Sequence, residues 1–358
     1  MYGNFQNQND QGNGNFYRNA WFMPPLLERS VKKSFSRIWL SIFLYISVSY
    51  LVSFLVQVLI IVSSGSPKEA LAILEMPLVN ASLGVLPMYL IGLPILALVL
   101  RGMDTRKKKP INISAKEFFS LFLVCIAFMY FGSYISQLLG DAYSSIFGYE
   151  LQDMTADTIE TWPLWLIFLL VVILGPIVEE FIFRRLLIDR LSVFGDRTAI
   201  IFSSVAFSLH HGNLFQFFYA ALLGLVLGYI YVKTSKLFFP ALMHAILNFV
   251  GAFVPIFVMK FTDELTLLDA AMQSGAAVDL GRYYLCLFIT LGYSLMILAM
   301  IIAGTVILFR NFRKVKIDPY CEIDIPRGRT LSLATQNAGF VFFAVAILAV
   351  LVMTLLPV

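Results

Sequence analysis

Charged residues are scarce in this chain of 358 residues. Asp, Glu, Lys and Arg make up 13% of it, against about 25% in soluble proteins. Apolar residues make up 59%, and a water-soluble protein of this length could not hide so much apolar surface behind so few charges. Part of the surroundings must therefore be lipid. The net charge of +4 is small and its basic residues fall in short clusters, so we expect no nucleic-acid partner.

Cysteine and histidine are also rare, with three residues of each. Cys125, Cys286 and Cys321 have no metal-ligand spacing, and two of them lie inside apolar runs. This excludes a disulfide framework and a zinc knuckle, and it leaves packing as their expected role. The sequence also lacks internal repeats and apolar/polar alternation, which excludes a solenoid and a membrane barrel.

Long apolar runs are abundant. A helix crosses a bilayer with about 20 apolar residues. Runs of about this length predict nine helices, at roughly 38–62, 77–100, 118–139, 163–183, 198–212, 215–232, 237–257, 283–309 and 338–357. The fifth and sixth are short and almost contiguous, so a merged or re-entrant element stays open there and the count is eight to nine. The predicted fold class is all-α, a polytopic transmembrane helical bundle.

Composition divides the chain into four regions. Residues 1–30, rich in Asn, Gln and Gly, are predicted to form a disordered polar cytoplasmic tail. Residues 36–140 carry the N-terminal transmembrane helices, and 163–257 form a core that contains the polar residues discussed below. Residues 283–358 carry the C-terminal transmembrane helices with a basic cytoplasmic loop. The first long apolar run begins near Trp39, too late for a secretory signal, so this span is expected to remain as an anchor.

Loop charge predicts the orientation. Every second connection is basic, with Lys32, Lys33, Arg37, Arg101, Arg106, Lys107, Lys108, Lys109, Arg184, Arg185, Arg190, Arg197, Lys233, Lys236, Arg310, Arg313, Lys314 and Lys316. The alternate connections are acidic, with Asp141, Glu150, Asp153, Asp157, Glu160, Asp263, Glu264, Asp269 and Asp279. The positive-inside rule then places the N-terminus in the cytoplasm and, with nine spans, the C-terminus on the opposite side. We expect a bacterial cytoplasmic membrane.

Small residues recur every four positions in the sixth predicted helix, at Ala220, Gly224 and Gly228. Such a stripe lets two helices approach closely, so we expect it to be a packing surface.

Ionisable residues inside the spans are few, and each costs about 2.5–3.5 kcal/mol near the bilayer centre. They fall on three predicted helices, as Glu179, Glu180, Arg184 and Arg185; as His210 and His211; and as His244 with the amide of Asn248. Counting ~1.5 Å per residue from the basic helix ends puts Glu179 ~16 Å, His211 ~21 Å and His244 ~12 Å deep. Three helices can therefore bring a carboxylate and two imidazoles to one level, about halfway across the membrane.

Helical spacing assigns these side chains to faces. Glu180 and Arg184 are four residues apart and should form an internal ion pair, while Glu179 is turned about 100° away and should be a free carboxylate. His244 and Asn248 are also four residues apart, so their side chains should project from the same face of their helix. For His210 we expect a packing or hydrogen-bonding role.

A proline lies one turn before the two glutamates. Pro176 has no N–H to donate to the carbonyl of Val172, so we expect a kink that helps to open a wet cavity.

A carboxylate, two imidazoles and an amide in a membrane-embedded cavity point to hydrolysis. A general base that activates water, together with donors that stabilise an oxyanion, can cleave a peptide bond. Two histidines and a glutamate can equally hold zinc with a water in the fourth position. Both versions predict hydrolysis.

At these residues the sequence resembles the family of intramembrane proteases that includes the type II CAAX prenyl endopeptidases and the bacteriocin-processing enzymes, called the CPBP or Abi family. Its three motifs appear once each and in order, at 179–184 as EEFIFR, at 207–211 as FSLHH and at 244–248 as HAILN. Any one of them is weak, whereas the ordered set is specific. The resemblance covers about 165–255.

The resemblance implies roles for four residues. Glu179 would activate the water, with assistance from His211. His244 and Asn248 would stabilise the oxyanion. The chain would then be an intramembrane endopeptidase acting on a membrane-associated protein or peptide.

The resemblance also makes Glu180 and Arg184 supporting residues and leaves the metal open, because the family is described both as metalloproteases and as metal-independent glutamate proteases. No helix here carries a His pair of the HExxH type. The cofactor is therefore left unknown, with zinc as a candidate on residue types alone. Two other functions stay open, a proton-coupled transporter and a non-enzymatic scaffold or immunity protein of the same fold.

Overall fold

In a computed structural model of the chain, the structure describes residues 23–106, 110–149, 151, 153, 159, 161–311, 313, 315–326 and 328–355, and every regular element among them is helical. We number the helices α1 Pro25–Ser63, α2 Pro67–Leu74, α3 Pro77–Leu100, α4 Ala115–Phe147, α5 Leu164–Phe194, α6 Asp196–His210, α7 Leu214–Thr234, α8 Phe238–Gln273, α9 Leu280–Asn311, α10 Thr330–Thr335 and α11 Ala338–Leu355. The predicted all-α polytopic fold is confirmed.

Eight of the described helices are long and apolar enough to cross a membrane, namely α1, α3, α4, α5, α7, α8, α9 and α11. The predicted fifth span exists as a separate helix, α6, but its 15 residues reach only about 22 Å at 1.5 Å per residue. The hydrocarbon core of a bilayer is about 30 Å thick. The open question at 198–232 is thus resolved as a short helix followed by a full-length one.

The stripe of small residues on α7 is where α6 packs. A side-chain carbon added to Gly224 would lie 2.9 Å from the backbone Cα of Ser204, and one added to Gly228 would lie 3.3 Å from Ile200. The predicted packing role of this stripe is therefore confirmed, since any larger side chain would push the two helices apart.

The predicted tail of residues 1–30 is wrong over its last part, because α1 begins at Pro25. Proline fits the first turn of a helix, where its missing N–H breaks no bond. Val31 and Phe35 are fully buried, and Glu28 accepts ion pairs from Lys32 and from the distant Arg329. Tertiary packing thus continues the helix beyond the membrane span. The prediction for residues 1–22 lies outside the described residues.

Several acids predicted to lie in connections lie on helices instead. Asp141 is on α4 and Asp263, Glu264 and Asp269 are on α8. Polar side chains extend both helices past their apolar runs, as in the hydrogen bond from Gln137 to Asp141 at 2.9 Å. Glu150, Asp157 and Glu160 lie outside the described residues, as do Lys107, Lys108, Lys109 and Lys314.

One end of the bundle gathers the basic connections, and we call it the basic end. There Arg37 donates to the carbonyl of Arg101, Arg190 to that of Leu100, and Arg106 to the carboxylate of Asp196. At the opposite end Asn213 donates to Asp153. The chain therefore alternates between the two ends as the charge pattern predicts. That the basic end faces the cytoplasm stays a prediction.

Four π-helical segments interrupt the long helices. They are Met88–Gly92 in α3, Phe168–Leu174 and Phe181–Ile188 in α5, and Phe249–Phe253 in α8. A π-helical turn adds one residue to the helical repeat and is frequent at functional sites. Here three of the four directly flank the motif residues of α5 and α8.

Candidate active site

The two glutamates of the first motif lie on a single α-helical turn of α5, Gly175–Glu180, between two π-helical segments. Glu180 is fully buried. It accepts from Arg184 at both oxygens, at 2.8 Å from Nε and 3.2 Å from Nη2, and the arginine is fully buried as well. The predicted internal ion pair is therefore present, in the two-pronged geometry that best offsets the desolvation of both charges.

Arg184 is held by two side chains of α6. Its Nη1 donates to the hydroxyl of Ser203 at 3.0 Å, and that hydroxyl donates to the carbonyl of Phe183 at 2.7 Å. The guanidinium also lies 5.1 Å from the ring centre of Phe207, within range of a cation–π interaction. Sequence reasoning missed Ser203, although it lies four residues before the motif residue Phe207 and so on the same face of α6.

His244 lies between the two glutamates. Its Nδ1 is 3.1 Å from Glu180 Oε1, and its Nε2 is 3.8 Å from Glu179 Oε2. An ionised Glu180 can only accept, so Nδ1 donates to it and Nε2 is left facing Glu179. The longer distance exceeds a direct hydrogen bond and is the kind of gap that a bridging water fills. The predicted common depth of Glu179 and His244 is confirmed, whereas the contact between His244 and Glu180 was not foreseen.

Glu179 is the accessible carboxylate of the pair. Its side chain is 20% exposed, against 0% for Glu180. A carbon added to Gly175 would lie 3.7 Å from Glu179 Oε1 and 3.8 Å from the hydroxyl of Tyr89, so both polar atoms share this space. Tyr89 lies on the π-helical segment of α3. It is a second site residue that sequence reasoning missed, because α3 carries no motif.

Asn248 is tied to the backbone of α5, where its Nδ2 donates to the carbonyl of Val171 at 2.8 Å. In a π-helical turn each carbonyl accepts from the N–H five residues later, and the fifth residue after Val171 is Pro176, which has none. The prediction concerned the carbonyl of Val172, whereas the carbonyl that Asn248 bonds to is that of Val171. The π-helical hydrogen-bond pattern leaves the carbonyl of Val171 without a backbone donor, and Asn248 donates one of its two amide hydrogens to it.

His211 and His210 lie at the end of α6. The ring of His211 lies 5.1 Å from that of Phe207, which also contacts the ring of His244 at 5.7 Å. In the part of the chain that the structure describes, His211 makes no side-chain hydrogen bond. His210 packs on Tyr45 and Phe183, and its Nδ1 is buried without a hydrogen-bond partner among the described residues.

Comparison with known proteins bears on these residues directly. Residues 161–250 match the family model "Type II CAAX prenyl endopeptidase Rce1-like", and this segment contains all three motifs. Through this segment the chain is similar to the CPBP/CAAX protease family.

A curated relative of this chain is the "Putative membrane peptidase YdiL" of Bacillus subtilis (strain 168). It is 26% identical over 162 residues, which cover 43% of this chain and 64% of that protein. No solved structure gives a match. The two comparisons therefore support a membrane protease at the level of the family, while the substrate and the residues that act on it are proposed below.

The side chains of this segment, as they are placed, do not fit a zinc site. Zinc needs at least three protein ligands at about 2.0–2.2 Å. Among the described residues no three His, Cys, Asp or Glu side chains form a group that could hold a metal ion. One nitrogen of His244 is already bonded to Glu180. Zinc stays a candidate on residue types alone, and no step below passes through a metal.

Proposed function

We propose that this protein is an intramembrane endopeptidase that hydrolyses a peptide bond of a membrane-associated protein or peptide. The observation that carries the proposal is the placement of His244, whose Nδ1 is anchored on the buried Glu180–Arg184 pair and whose Nε2 faces the accessible carboxylate of Glu179. Buried charges are expensive in a membrane, and a cluster of them around an open carboxylate is typical of a functional site. The family match over the same residues supports it.

Glu179 is the general base in this proposal. A water that bridges Glu179 Oε2 and His244 Nε2, which are 3.8 Å apart, gives a proton to Glu179 as its oxygen attacks the carbonyl carbon of the scissile bond. When the tetrahedral intermediate collapses, the C–N bond breaks and Glu179 returns the proton to the leaving amine. His211 assists by holding the water on the side of Phe207.

Two donors stabilise the oxyanion of the intermediate. Protonated His244 donates from Nε2 while Glu180 holds its other nitrogen. Asn248 donates the amide hydrogen that Val171 does not use. Glu180 and Arg184 act through His244, by fixing the direction of its ring and stabilising its positive charge.

The substrate class follows from the position of the site. At about half the depth of the membrane, Glu179 meets only polypeptides that enter or cross the bilayer, so we propose membrane-associated proteins or peptides of a bacterial cytoplasmic membrane. The N-terminus and the basic end would face the cytoplasm.

The test compares wild type with Glu179→Gln and His244→Ala. Each purified protein is reconstituted in liposomes with a library of synthetic membrane-spanning peptides, and new peptide termini are identified by mass spectrometry. Wild type should cleave, and both variants should lose cleavage while keeping the helical circular-dichroism spectrum. Glu75→Gln, at the exposed end of α2, is the matched control and should cleave like wild type.

Two outcomes would overturn the proposal. Cleavage by both variants at the wild-type rate would remove Glu179 and His244 from the chemistry. Proton flux into the liposomes that depends on Glu179, without cleavage of any peptide, would identify a transporter instead.

A further inference from the structure

A groove with a mixed apolar and polar lining lies between α1 and α3 in the half of the bundle away from the basic end. It has a volume of about 330 Å³, and its polar lining comes from Ser49, Tyr50, Ser53, Gln57 and Asn80. Four of these five lie on one face of α1, at spacings of one, four and eight residues. No family motif and none of the proposed catalytic residues lies in this groove.

These polar side chains run along α1 from the middle of the membrane span to its far edge. Arg37 marks the basic end of α1. Counting ~1.5 Å per residue from there places Ser49 ~18 Å and Gln57 ~30 Å along the helix. The apolar core of a bilayer is about 30 Å thick, so Gln57 lies at its far edge. Ser49 and Ser53 lie inside it, where polar groups are costly unless they find partners. A stripe of them on α1 therefore needs a structural partner or a ligand.

The structure supplies partners for only some of them. Ser53 donates to the carbonyl of Leu83 at 2.6 Å, which lacks its helical partner because the residue four positions later is Pro87. Ser49 donates to the carbonyl of Tyr45, and Asn80 accepts from Trp162.

Two polar groups of the groove remain available. The hydroxyl of Tyr50 and the amide of Gln57 make no hydrogen bond within the described residues, and both side chains are exposed. A hydroxyl and an amide together offer donors and acceptors, which is what a peptide backbone requires.

The inner end of the groove lies next to the candidate active site. The Tyr50 hydroxyl is 4.0 Å from the place that a side-chain carbon on Gly212 would take, directly after His211, and Val350 of α11 lies closer to that place, at 2.5 Å. On the other wall, Met88 lines the groove and is followed by Tyr89, whose hydroxyl shares the space beside Gly175 with Glu179. The groove therefore borders the residues next to His211 and next to Tyr89, and a chain leaving it there would run towards Glu179.

We propose that this groove binds the unwound segment of the substrate next to the scissile bond. A peptide bond inside an intact helix is protected by its own hydrogen bonds, and unwinding it in lipid leaves its N–H and C=O groups without partners. Tyr50 and Gln57 would supply partners. The ~12 Å from Ser49 to Gln57 along α1 accommodates about four extended residues. The inference rests on the proposed function, since it assigns a binding groove to that same site.

Kinetics with the library peptide that wild type cleaves fastest provide the first test. Losing one neutral hydrogen bond of about 1 kcal/mol should raise KM about five-fold for Tyr50→Phe or Gln57→Leu, and the effect on kcat should be smaller. The matched control is Gln137→Leu, since Gln137 is also exposed but bonds to Asp141 on α4. Its KM should equal that of wild type. Unchanged KM in both groove variants would overturn the proposal.

Photo-crosslinking separates this proposal from the proposed function. A photoreactive residue replaces Gln57 in the full-length Glu179→Gln protein, in liposomes that contain the same peptide library. A peptide adduct at position 57 supports the groove even if wild type cleaves nothing, in which case only the proposed function fails. Adducts to lipid alone would overturn the groove even if wild type cleaves well.

Discussion

Two arginine–glutamate pairs of this protein have the same chemistry and opposite surroundings. Arg184 binds both oxygens of Glu180 in the bundle core, where both side chains are 0% exposed. Arg282 binds both oxygens of Glu264 at the junction of α8 and α9, where they are 46% and 34% exposed. Water and salt screen the outer pair. The inner pair cannot be screened, so it can orient His244, which is the role that we propose for it.

Removing the buried arginine should have the largest effect. Arg184→Ala leaves the carboxylate of Glu180 buried without its counter-ion, which typically costs about 3–5 kcal/mol. Thermal unfolding in detergent should show a strongly lowered Tm or no folded protein. Arg282→Ala should leave the Tm within error of wild type, and equal losses in the two variants would remove the contrast between the pairs.

Removing one neutral partner of the buried arginine sharpens the comparison. Ser203→Ala takes away the hydroxyl that accepts from Arg184 Nη1, and a hydrogen bond to a charged group is worth about 1.5–3 kcal/mol. Chemical denaturation should show this loss of unfolding free energy. The control is Ser204→Ala, because Ser204 is also buried but donates only to Ile200 within its own helix. A similar loss in both variants would contradict the assigned role.

Replacing the glutamate of each pair with glutamine tests whether that pair supports catalysis or only stability. Gln at position 180 keeps an oxygen for Arg184 but weakens the hold on His244, so Glu180→Gln should lower kcat about 10–100-fold, as is typical when a group that orients a histidine is changed. The peptide cleavage assay measures this at unchanged expression. Glu264→Gln should retain wild-type kcat. A Glu180→Gln protein with wild-type kcat would show that the buried pair is only structural.

The smallest effect is expected from replacing Asn248, which extends the comparison from charged pairs to a neutral hydrogen bond. Asn248→Ala leaves the Val171 carbonyl without a partner, at a cost of about 1–2 kcal/mol in unfolding free energy. Pro176→Ala restores an N–H that can reach this carbonyl, so the double variant should recover part of the loss. Denaturation of the two single variants and the double variant forms a mutant cycle. Strict additivity would contradict the shared carbonyl.

The sequence sufficed for those parts of the site that regular helical geometry determines. The spacing of Glu180 and Arg184 predicted their ion pair, and helix depth predicted that Glu179 and His244 would meet. The sequence did not predict the hydrogen bond to the carbonyl of Val171. A π-helical turn changes the hydrogen-bond spacing, and the local composition does not indicate such a turn. Ser203 was missed because an ordinary serine gains its role only through the tertiary packing of α6 against α5.

The prediction of the fold was likewise right where composition decides the structure and wrong where tertiary contacts decide it. Apolar runs located the membrane spans, since hydropathy depends on composition alone. The ends of α1 and α8 were misplaced because contacts outside the bilayer extend them, as Glu28 with Arg329 shows for α1. Residue composition does not encode such contacts.

The short length of α6 affects the lipid as well as the protein. Ile201 and Val205 are 52% and 38% exposed on its outer face, so this helix borders the membrane directly. A hydrophobic segment shorter than the bilayer draws the lipid surfaces together or admits the headgroup region to its end. The end of α6 carries His210 and His211. Thinning of this kind beside the two imidazoles would bring water to a site that the surrounding lipid would otherwise keep dry.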